Sequence, residues 1–282
     1  MRSPLEFRRR GGGFDIASTN PSAYYDRSIL ASMFQLSTGI TAVTDSGQPI
    51  GYGGDLSGGG NNQIQATAGK RPILMQSPAG GVRNKMTYTE DFGNAAWNKQ
   101  TNVSVSSGAP VTAPDGSSTD QIASFSADTD NSLYQGLFIP SNTTNTFSIY
   151  LKGTVGQTIS ISNQNDAAVA ISVSHTLTGG WDRVSAASLD SALSITANVV
   201  IRKYPGDTAT AVYLWGAQLE LSSTATDYQK VTNQYTVTEE GVPSVWSAKF
   251  DAVDDDLGTT FGASLGAGCT VCRSLPGTGA SI

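Results

Sequence analysis

The sequence predicts an all-β protein built around an antiparallel β-sandwich of the jelly-roll type, and three observations favour this class. Many short stretches alternate between apolar and polar residues, which is the period of a half-buried strand. Turn-forming residues separate these stretches at the spacing of roughly 8–12 residues that is typical of sandwiches. Charged residues make up only 14% of the chain while glycines number 31, so the composition favours strands and turns over helices.

The predicted jelly roll occupies residues 84–231, where the alternation is strongest. In "TFSIYLKG", Phe147, Ile149 and Leu151 share one face and Tyr150 lies on the other. The same alternation recurs in "QTISISN" at 157–163, "AVAISVSH" at 168–175 and "SITANVVIRKY" at 194–204. Turn residues separate these runs at "PDG" (114–116), "PSN" (140–142), "GG" (179–180) and "PG" (205–206). The pattern predicts roughly eight to ten strands.

The flanking segments carry far fewer apolar residues than the predicted sandwich. Residues 1–13 form an anchoring tail whose three consecutive glycines are costly to order without a partner. Residues 14–83 form an irregular, Gly-rich region, in which 28–36 is expected to be a short helix or turn. Residues 232–282 hold one predicted hairpin and are too short for a separate core. We expect them to act as a short docking segment that packs on the N-terminal region or on a partner chain.

The last predicted strand of the sandwich, "AVYLWGAQLE" at 211–220, begins apolar on both faces. Strict alternation places Leu214 and Gly216 on one face, and Trp215 and Ala217 on the other. We expect one end of this strand to be covered on both faces, with Trp215 packed in the core as Trp97 is.

The charge balance argues against a nucleic-acid partner. The chain has 17 basic and 23 acidic residues, without the basic face typical of duplex binders. Arg8, Arg9 and Arg10 form its one basic cluster, which is interpreted either as a nucleic-acid or membrane arm, or as a flexible peptide that docks on a neighbouring acidic surface. Three arginines supply few phosphate contacts, which favours docking.

Membrane insertion is not expected from the sequence. No apolar run approaches the ~20 residues that span a bilayer. Residues 1–30 lack the apolar core of a secretory signal, so the chain is expected to be soluble and to leave a cell by a route such as lysis.

Metal, cofactor and catalytic signals are weak. Cys269 and Cys272 supply half a zinc site at most, and two packed, reduced thiols are favoured over a redox pair. His175 lies in a predicted strand with no nucleophile motif nearby. The run Asp251 to Asp256 lacks the spacing of an EF-hand loop, which favours a solvated turn over a calcium site. The sequence leaves a pair of glycosidase carboxylates open, but we expect no enzyme, no cofactor and no metal.

Sugar binding has more support, because aromatic rings stack on the apolar faces of pyranoses while amides and carboxylates bind the hydroxyls. Tyr150 is the first candidate, since it lies on the polar face of its strand. Tyr134 and Trp181 are the others, beside polar residues such as Gln135 and Asp182. The alternatives are packing of Trp181 in the core and packing of the tyrosines against a neighbouring subunit.

Three stretches of the central segment resemble the tail-fibre, spike and head-fibre proteins of phages, which carry jelly rolls like those of carbohydrate-binding modules. They are "MTYTEDFGNAAWNKQTNVSV" (86–105), "GWDRVSAAS" (180–188) and "YLWGAQLELSSTATDY" (213–228). The opening motif of that family is matched by Thr89, Glu90, Asp91, Phe92, Ala96 and Trp97, and its closing motif by Trp215 through Glu220. The resemblance covers about half of the chain.

The flanks resemble proteins of prophages and of phage-like particles such as gene transfer agents. In those proteins the equivalent of "KRPIL" (70–74) runs into a strand like "KFDAVDD" (249–255), which opens a lectin-like domain. The resemblance therefore implies a jelly roll inserted between two halves of another domain. The lectin-like domain would continue beyond residue 282, so the end of this chain is expected to be a shortened remnant reused for docking.

The resemblance implies a structural virion protein, made in the bacterial cytoplasm and located on the surface of a phage or phage-like particle. It would be a spike, fibre or decoration subunit, as a head-spike base or a fibre adaptor. Its expected partners are other copies of itself in a trimer or pentamer, capsid or tail proteins, and a further fibre protein at the C-terminus. The alternative is an adhesin that binds host polysaccharide itself, and a depolymerase is a more distant third.

Overall fold

The computed structural model describes residues 21, 23–129, 131–140, 143–164, 170–189 and 195–259. The helices among these residues are two short 3-10 helices, Leu30–Ser32 and Ala68–Lys70, and the remainder consists of strands joined by turns and irregular segments. None of the helices in the described part of the chain is long and apolar enough to cross a membrane. The strands are β1 (Met33–Phe34), β2 (Tyr52–Gly53), β3 (Gln63–Ile64), β4 (Ile73–Pro78), β5 (Asn98–Lys99), β6 (Val103–Thr112), β7 (Ser118–Phe125), β8 (Ser132–Ile139), β9 (Thr144–Lys152), β10 (Thr158–Gln164), β11 (Ala170–Thr176), β12 (Asp182–Leu189), β13 (Ile195–Arg202), β14 (Ala211–Glu220), β15 (Gln229–Asn233), β16 (Thr236–Glu239), β17 (Ser244–Lys249) and β18 (Gly258–Thr259).

The central strands form two five-stranded sheets, which confirms the predicted antiparallel sandwich. Sheet I has the order β11-β10-β13-β8-β5, and sheet II has the order β12-β9-β14-β7-β6. Neighbouring strands in both sheets pair antiparallel. Strands distant in the sequence become neighbours in this way, as in a jelly roll.

The core between the two sheets is made by the alternating residues that the sequence singled out. Phe147, Ile149 and Leu151 of β9 are fully buried, and Ile159 and Ile161 of β10 face them from sheet I. Each such side chain contributes about 1.5–3 kcal/mol by leaving water. The intervening residues of each strand therefore form the outer faces of the sandwich.

Strand β14 departs from strict alternation at a β-bulge. Trp215 pairs with Tyr150 of β9 and Gln218 pairs with Ser148, so Gly216 and Ala217 together oppose the single residue Ile149. Gly216 has a φ of +65°, which glycine adopts without the strain of a side chain. The bulge reverses the phase of the strand, which places both Leu214 and Ala217 in the core.

The prediction that Trp215 fills the core is therefore wrong. Trp215 is buried, at 3% exposure, but it lies on the outer face of sheet II against Tyr150 and Tyr228. Trp97 does lie in the core, where its ring centroid is 4.9 Å from that of Phe92. Alternation correctly places Trp215 on the face opposite Leu214, and Trp215 is buried there because Tyr150 and Tyr228 cover the outer face of the sheet at this point.

The two ends of the jelly roll are held together by Thr89, in the opening motif. Its backbone carbonyl accepts a hydrogen bond from the amide of Ala217 in the closing motif. Its backbone amide donates to the carbonyl of Val231, and its hydroxyl accepts from the Val231 amide at 2.9 Å. The opening and closing motifs therefore lie next to each other and join the two ends of the sandwich.

A second, smaller unit contains residues 21–75 and 245–259, while residues 76–244 form the larger unit. Its sheet has the order β1-β2-β3-β18, and its small core consists of Met33, Val43, Ile50 and Leu74. β18 pairs with β3, and β17 and β18 lie in different sheets. The prediction of a single hairpin within residues 232–282 is therefore wrong, because the two strands that would form it do not pair with each other. The segment 28–36 is the 3-10 turn Leu30–Ser32 followed by β1.

Candidate functional site

The candidate site is a cavity of about 320 Å³ on the outer face of sheet II, called the sheet II cavity below. Its lining combines aromatic side chains with carboxylates. The residues are Pro114, Asp115, Tyr150, Trp215, Asp227, Tyr228, Glu239, Glu240 and Gly241. β9 and β14 supply its floor, while the turn between β6 and β7 and the segments around β15 and β16 supply its walls.

Three aromatic rings form the apolar part of the cavity, and the bulge at Gly216 lets them pack. The ring centroids of Tyr150 and Trp215 are 5.3 Å apart, edge to face, and those of Trp215 and Tyr228 are 4.6 Å apart. A Cβ atom added at Gly216 would lie 3.1 Å from Cδ2 of Tyr150 and 3.6 Å from Cδ2 of Tyr228. Glycine is therefore needed here both for its backbone conformation and for the closeness of the rings.

Tyr228 is fixed by the opening motif. Its hydroxyl shares a 2.6 Å hydrogen bond with the hydroxyl of Thr89 and donates to a carboxylate oxygen of Glu90 at 3.1 Å. Burial and the nearby negative charge of Glu90 hold the pKa of Tyr228 well above its usual range. The phenol therefore stays protonated, and the ring is held in place against Trp215.

The last residues of the closing motif hold the loop that carries Asp227 and Tyr228. Oε2 of Glu220 accepts the amide of Thr226 at 2.8 Å, and Nε2 of Gln218 donates to the carbonyl of Asp227 at 3.2 Å. Glu220 is buried and is balanced by Arg83, whose Nε lies 3.6 Å from Oε1. The Gln-Leu-Glu sequence of the motif thus positions one wall of the cavity.

The cavity is strongly acidic. Glu239 is paired with Arg83 at 2.8 Å, and this hydrogen bond lowers the pKa of Glu239 below its usual value. Asp115, Asp227 and Glu240 also line the cavity, and none of them forms an ion pair with any residue that the structure describes.

Two nitrogen donors beside Tyr150 have unused hydrogen-bonding capacity. The guanidinium of Arg183 lies 5.4 Å from the centroid of the Tyr150 ring, and its Nη2 donates to Ser148. Nε of Arg183 and Nε1 of Trp215 are both buried without a hydrogen-bond partner among the described residues. Buried donors of this kind gain from an acceptor.

The three candidate sugar-binding residues are not brought together. Tyr150 lines the sheet II cavity. Tyr134 lies on the outer face of sheet I, since its neighbour Leu133 points into the core. Trp181 is half-buried, and its indole nitrogen donates to the carbonyl of Thr112 at 2.7 Å. The carboxylate of the adjacent Asp182 accepts a hydrogen bond from the hydroxyl of Thr178, and its Oδ2 lies 3.1 Å from Nε2 of His175.

Sequence reasoning missed Trp215, Tyr228 and the carboxylates of the cavity. The glycine inside an otherwise apolar strand was the available signal, because an interior glycine often marks a bulge or a close approach. The carboxylates come from three separate turns, and no pattern in the sequence connects turns that are distant along the chain.

A second cavity, of about 530 Å³, lies on the outer face of sheet I and is lined mostly by hydroxyl groups. Its carboxylate is already used: Asp207 accepts hydrogen bonds from Ser160, Ser174 and the amide of Tyr204. The lining contains a single aromatic ring, that of Tyr204, which is stacked with Arg202 at 4.1 Å. This cavity is the weaker candidate.

The remaining candidates from the sequence play structural roles or fall outside the described residues. Carboxylate oxygens of Asp251, Asp254 and Asp255 lie within 4.8 Å of one another, but all three groups are on the surface. Asp251 accepts backbone amides of Val253, Asp254 and Asp255, which closes a turn and lowers its pKa. Arg8, Arg9, Arg10, Cys269 and Cys272 lie outside the described residues.

Comparison with known proteins shows likenesses of fold alone. No protein-family profile matches the sequence, and no curated protein sequence matches it. The structure resembles the enzymatically active domain of tailspike protein 4 of bacteriophage CBA120, with 15% identity over 49% of this chain and 21% of that chain and a TM-score of 0.36. It also resembles the CBM22-1 and GH10 modules of the Clostridium thermocellum N-terminal endo-1,4-β-D-xylanase 10B complexed with xylohexaose, with 11% identity over 50% of this chain and 28% of that chain and a TM-score of 0.37. A carbohydrate-binding module of Cellvibrio mixtus lichenase 5A, in complex with cellotriose, matches with 13% identity over 49% and 98% and a TM-score of 0.35. This chain thus spans under a third of the first two chains and nearly all of the third.

Proposed function

We propose that this protein binds glycans through the sheet II cavity, as a surface protein of a phage or phage-like particle. The observation that carries the proposal is the meeting of three aromatic rings and four carboxylates in one cavity on the outside of a β-sandwich. Sugars present apolar ring faces and rows of hydroxyls, and this lining offers a partner for each.

Tyr150 is the residue best placed to stack on a sugar ring. It is half-buried, whereas Trp215 beneath it is almost fully covered. Its hydroxyl forms no hydrogen bond with the described residues, so it is available to a ligand. Trp215 supports the ring of Tyr150 from below, with the two ring centroids 5.3 Å apart.

The volume of the cavity limits the ligand. At about 320 Å³ it lies at the lower end of the range of roughly 300–1,000 Å³ found for small-molecule sites. It therefore suits one or two sugar units of a longer chain, with the remainder of the polysaccharide lying outside.

The experiment is a glycan-array and capsule pull-down measurement with the full chain. Tyr150→Ala removes the stacking surface and leaves the carboxylates in place, so we expect affinity to fall about tenfold or more, equivalent to ~1.4 kcal/mol. Tyr134→Ala is the matched control, since it removes a tyrosine of similar burial from the opposite sheet and should bind as the wild type does. Equal binding by wild type and Tyr150→Ala would overturn the proposal, provided both proteins melt at the same temperature.

A second proposed function is that of a structural spike, fibre or decoration subunit, a head-spike base or fibre adaptor that joins capsid or tail to a further fibre protein. The observation in its favour is the exposure of apolar side chains. It is greatest in the smaller unit, where Val253 is 85% and Ile40 is 79% exposed, against 71% for Val155 and 70% for Phe138 in the larger unit. Apolar groups left in water favour coverage by another chain. Under either function we propose no catalytic role, and release of reducing sugar from host polysaccharide by the purified protein would contradict that.

A further inference from the structure

We infer that the sheet II cavity selects saccharides that carry a positively charged amino group. This inference rests on the proposed glycan-binding function and names the class of sugar that the same cavity takes.

The charge of the lining is the first argument. Asp115, Asp227, Glu239 and Glu240 all line the cavity, and no Lys, Arg or His is among the described residues that line it. The cations beside the cavity are already engaged by the protein. Arg83 is paired with Glu239 and Glu220, and Arg183 lies over the ring of Tyr150. Lys230 is paired with Glu90, the carboxylate that accepts the hydroxyl of Tyr228. Negative charge therefore predominates, which attracts a cationic ligand and repels an anionic sugar such as a uronate.

The aromatic rings are the second argument, and it is independent of the carboxylates. The face of an aromatic ring attracts cations, with tryptophan and tyrosine among the best partners. Tyr150 already attracts one cation from the protein, the guanidinium of Arg183 at 5.4 Å. Rings and carboxylates in one cavity form the arrangement that recognises alkylammonium groups.

Among the described residues, the cavity holds no cluster of three metal ligands. In the described part of the chain, the one group of three or more potential metal ligands within 4.8 Å is at Asp251, Asp254 and Asp255, and none of these residues lines the cavity. The carboxylates of the cavity therefore offer negative charge to an organic cation, such as an amino sugar, rather than a ready-made set of metal ligands.

The test compares two oligosaccharides of the same sugar ring, one with a free, charged amine and one in which an acetyl group neutralises it. Isothermal titration of the full chain would use glucosamine oligomers and N-acetylglucosamine oligomers of the same length, at low salt and at a pH where the amine is protonated. We expect the glucosamine oligomer to bind at least tenfold more tightly, with a preference that shrinks as salt screens the charges. Oligogalacturonate should bind more weakly than either.

Variants separate this site from general attraction to an acidic protein. Glu240→Gln and Asp227→Asn should each reduce the preference for glucosamine severalfold. Asp45→Asn removes one negative charge, as those two variants do, but from the smaller unit, and it should leave the preference unchanged. Tyr150→Ala keeps every charge of the cavity, and it should still weaken binding of the glucosamine oligomer.

The outcomes distinguish the inference from the function on which it rests. Equal binding of the two oligomers, with both weakened by Tyr150→Ala, would overturn the selection of amines and leave glycan binding standing. A preference for glucosamine that persists in Tyr150→Ala and falls equally in Asp45→Asn would also overturn it, since the attraction would not come from the cavity. A failure of every glycan on the array to bind would remove the proposed function itself.

Discussion

Gly216 combines two requirements that only glycine meets. Its φ of +65° lies in the left-handed region, and it faces the rings of Tyr150 and Tyr228. An alanine at this position would have to accept the backbone strain and push against Tyr150 at 3.1 Å. One residue therefore controls both the phase of β14 and the geometry of the cavity.

We expect Gly216→Ala to lower the free energy of unfolding by about 1–2 kcal/mol, the typical cost of a side chain in the left-handed region. It should also weaken glycan binding, because the ring of Tyr150 must move. The control is Gly156→Ala, which has a φ of +81° but no atom within 4 Å of the added Cβ. Chemical denaturation and titration of both variants would measure the two effects, and equal glycan binding by the two variants would contradict the role given to Gly216.

At the scale of elements, the alternation in the sequence predicted β9, β10 and β13 well, because it runs through each of these strands without a bulge, although small polar residues on the other face, such as Ser148 and Ser160, are buried as well. β14 was predicted less well. Strict alternation, continued through Trp215 and Gly216, assigns Ala217 to the face opposite Leu214, whereas the bulge places both residues in the core. A bulge adds one residue without changing composition, so a pattern of apolar residues does not register it. The smaller unit was harder still, because strands of two residues such as β1 are too short to show any period.

A partly exposed ion pair joins Arg83 to Glu239 in β16, and we expect it to make the stability of the β15–β16 hairpin depend on pH. Arg83 holds the pKa of Glu239 below its usual value of 4.5, so the folded state favours the charged carboxylate more than the unfolded state does. The stabilisation is fully present above that usual value and is lost as the pH falls through the lowered pKa. We expect Glu239→Gln to melt at a lower temperature than the wild type at pH 7.

The same variant provides the control for acid unfolding. Other carboxylates with lowered pKa values, including Asp55 and Asp182, destabilise both proteins in acid. The informative quantity is therefore the difference in melting temperature between wild type and Glu239→Gln, which should narrow as the pH falls below 4.5. A difference that is constant from pH 7 to acid would show that the ion pair does not contribute.

At the scale of the whole molecule, the sequence predicted the sandwich and its position but not the full candidate site. The sandwich could be predicted because the alternation of apolar and polar residues is a local property, visible within a single strand. The cavity could not be predicted in the same way. Asp115, Tyr150, Trp215 and Glu240 are brought together by the order of the strands and the conformation of the loops, which local sequence patterns do not reveal. Tyr150 could be predicted because its own strand showed it facing outward.

We expect the purified chain to form trimers or pentamers, as proposed for a spike or fibre subunit, because exposed apolar side chains gain about 25 cal/mol per Å² when covered. Light scattering of the full chain would measure the mass. Val253→Asp should favour smaller species, whereas Val155→Asp, at a similarly exposed position of the jelly roll, should not. A monomer at high protein concentration would contradict the structural proposal and leave glycan binding untouched.

The hydrogen bonds of Thr89 to Ala217 and Val231 have a consequence for how such proteins diversify. Because the jelly roll starts and finishes at one point, a different sandwich with the same pair of neighbouring ends can replace it in the surrounding chain. Exchange of this cassette would then change the outer face that the sandwich presents, with the remainder of the polypeptide left as it is.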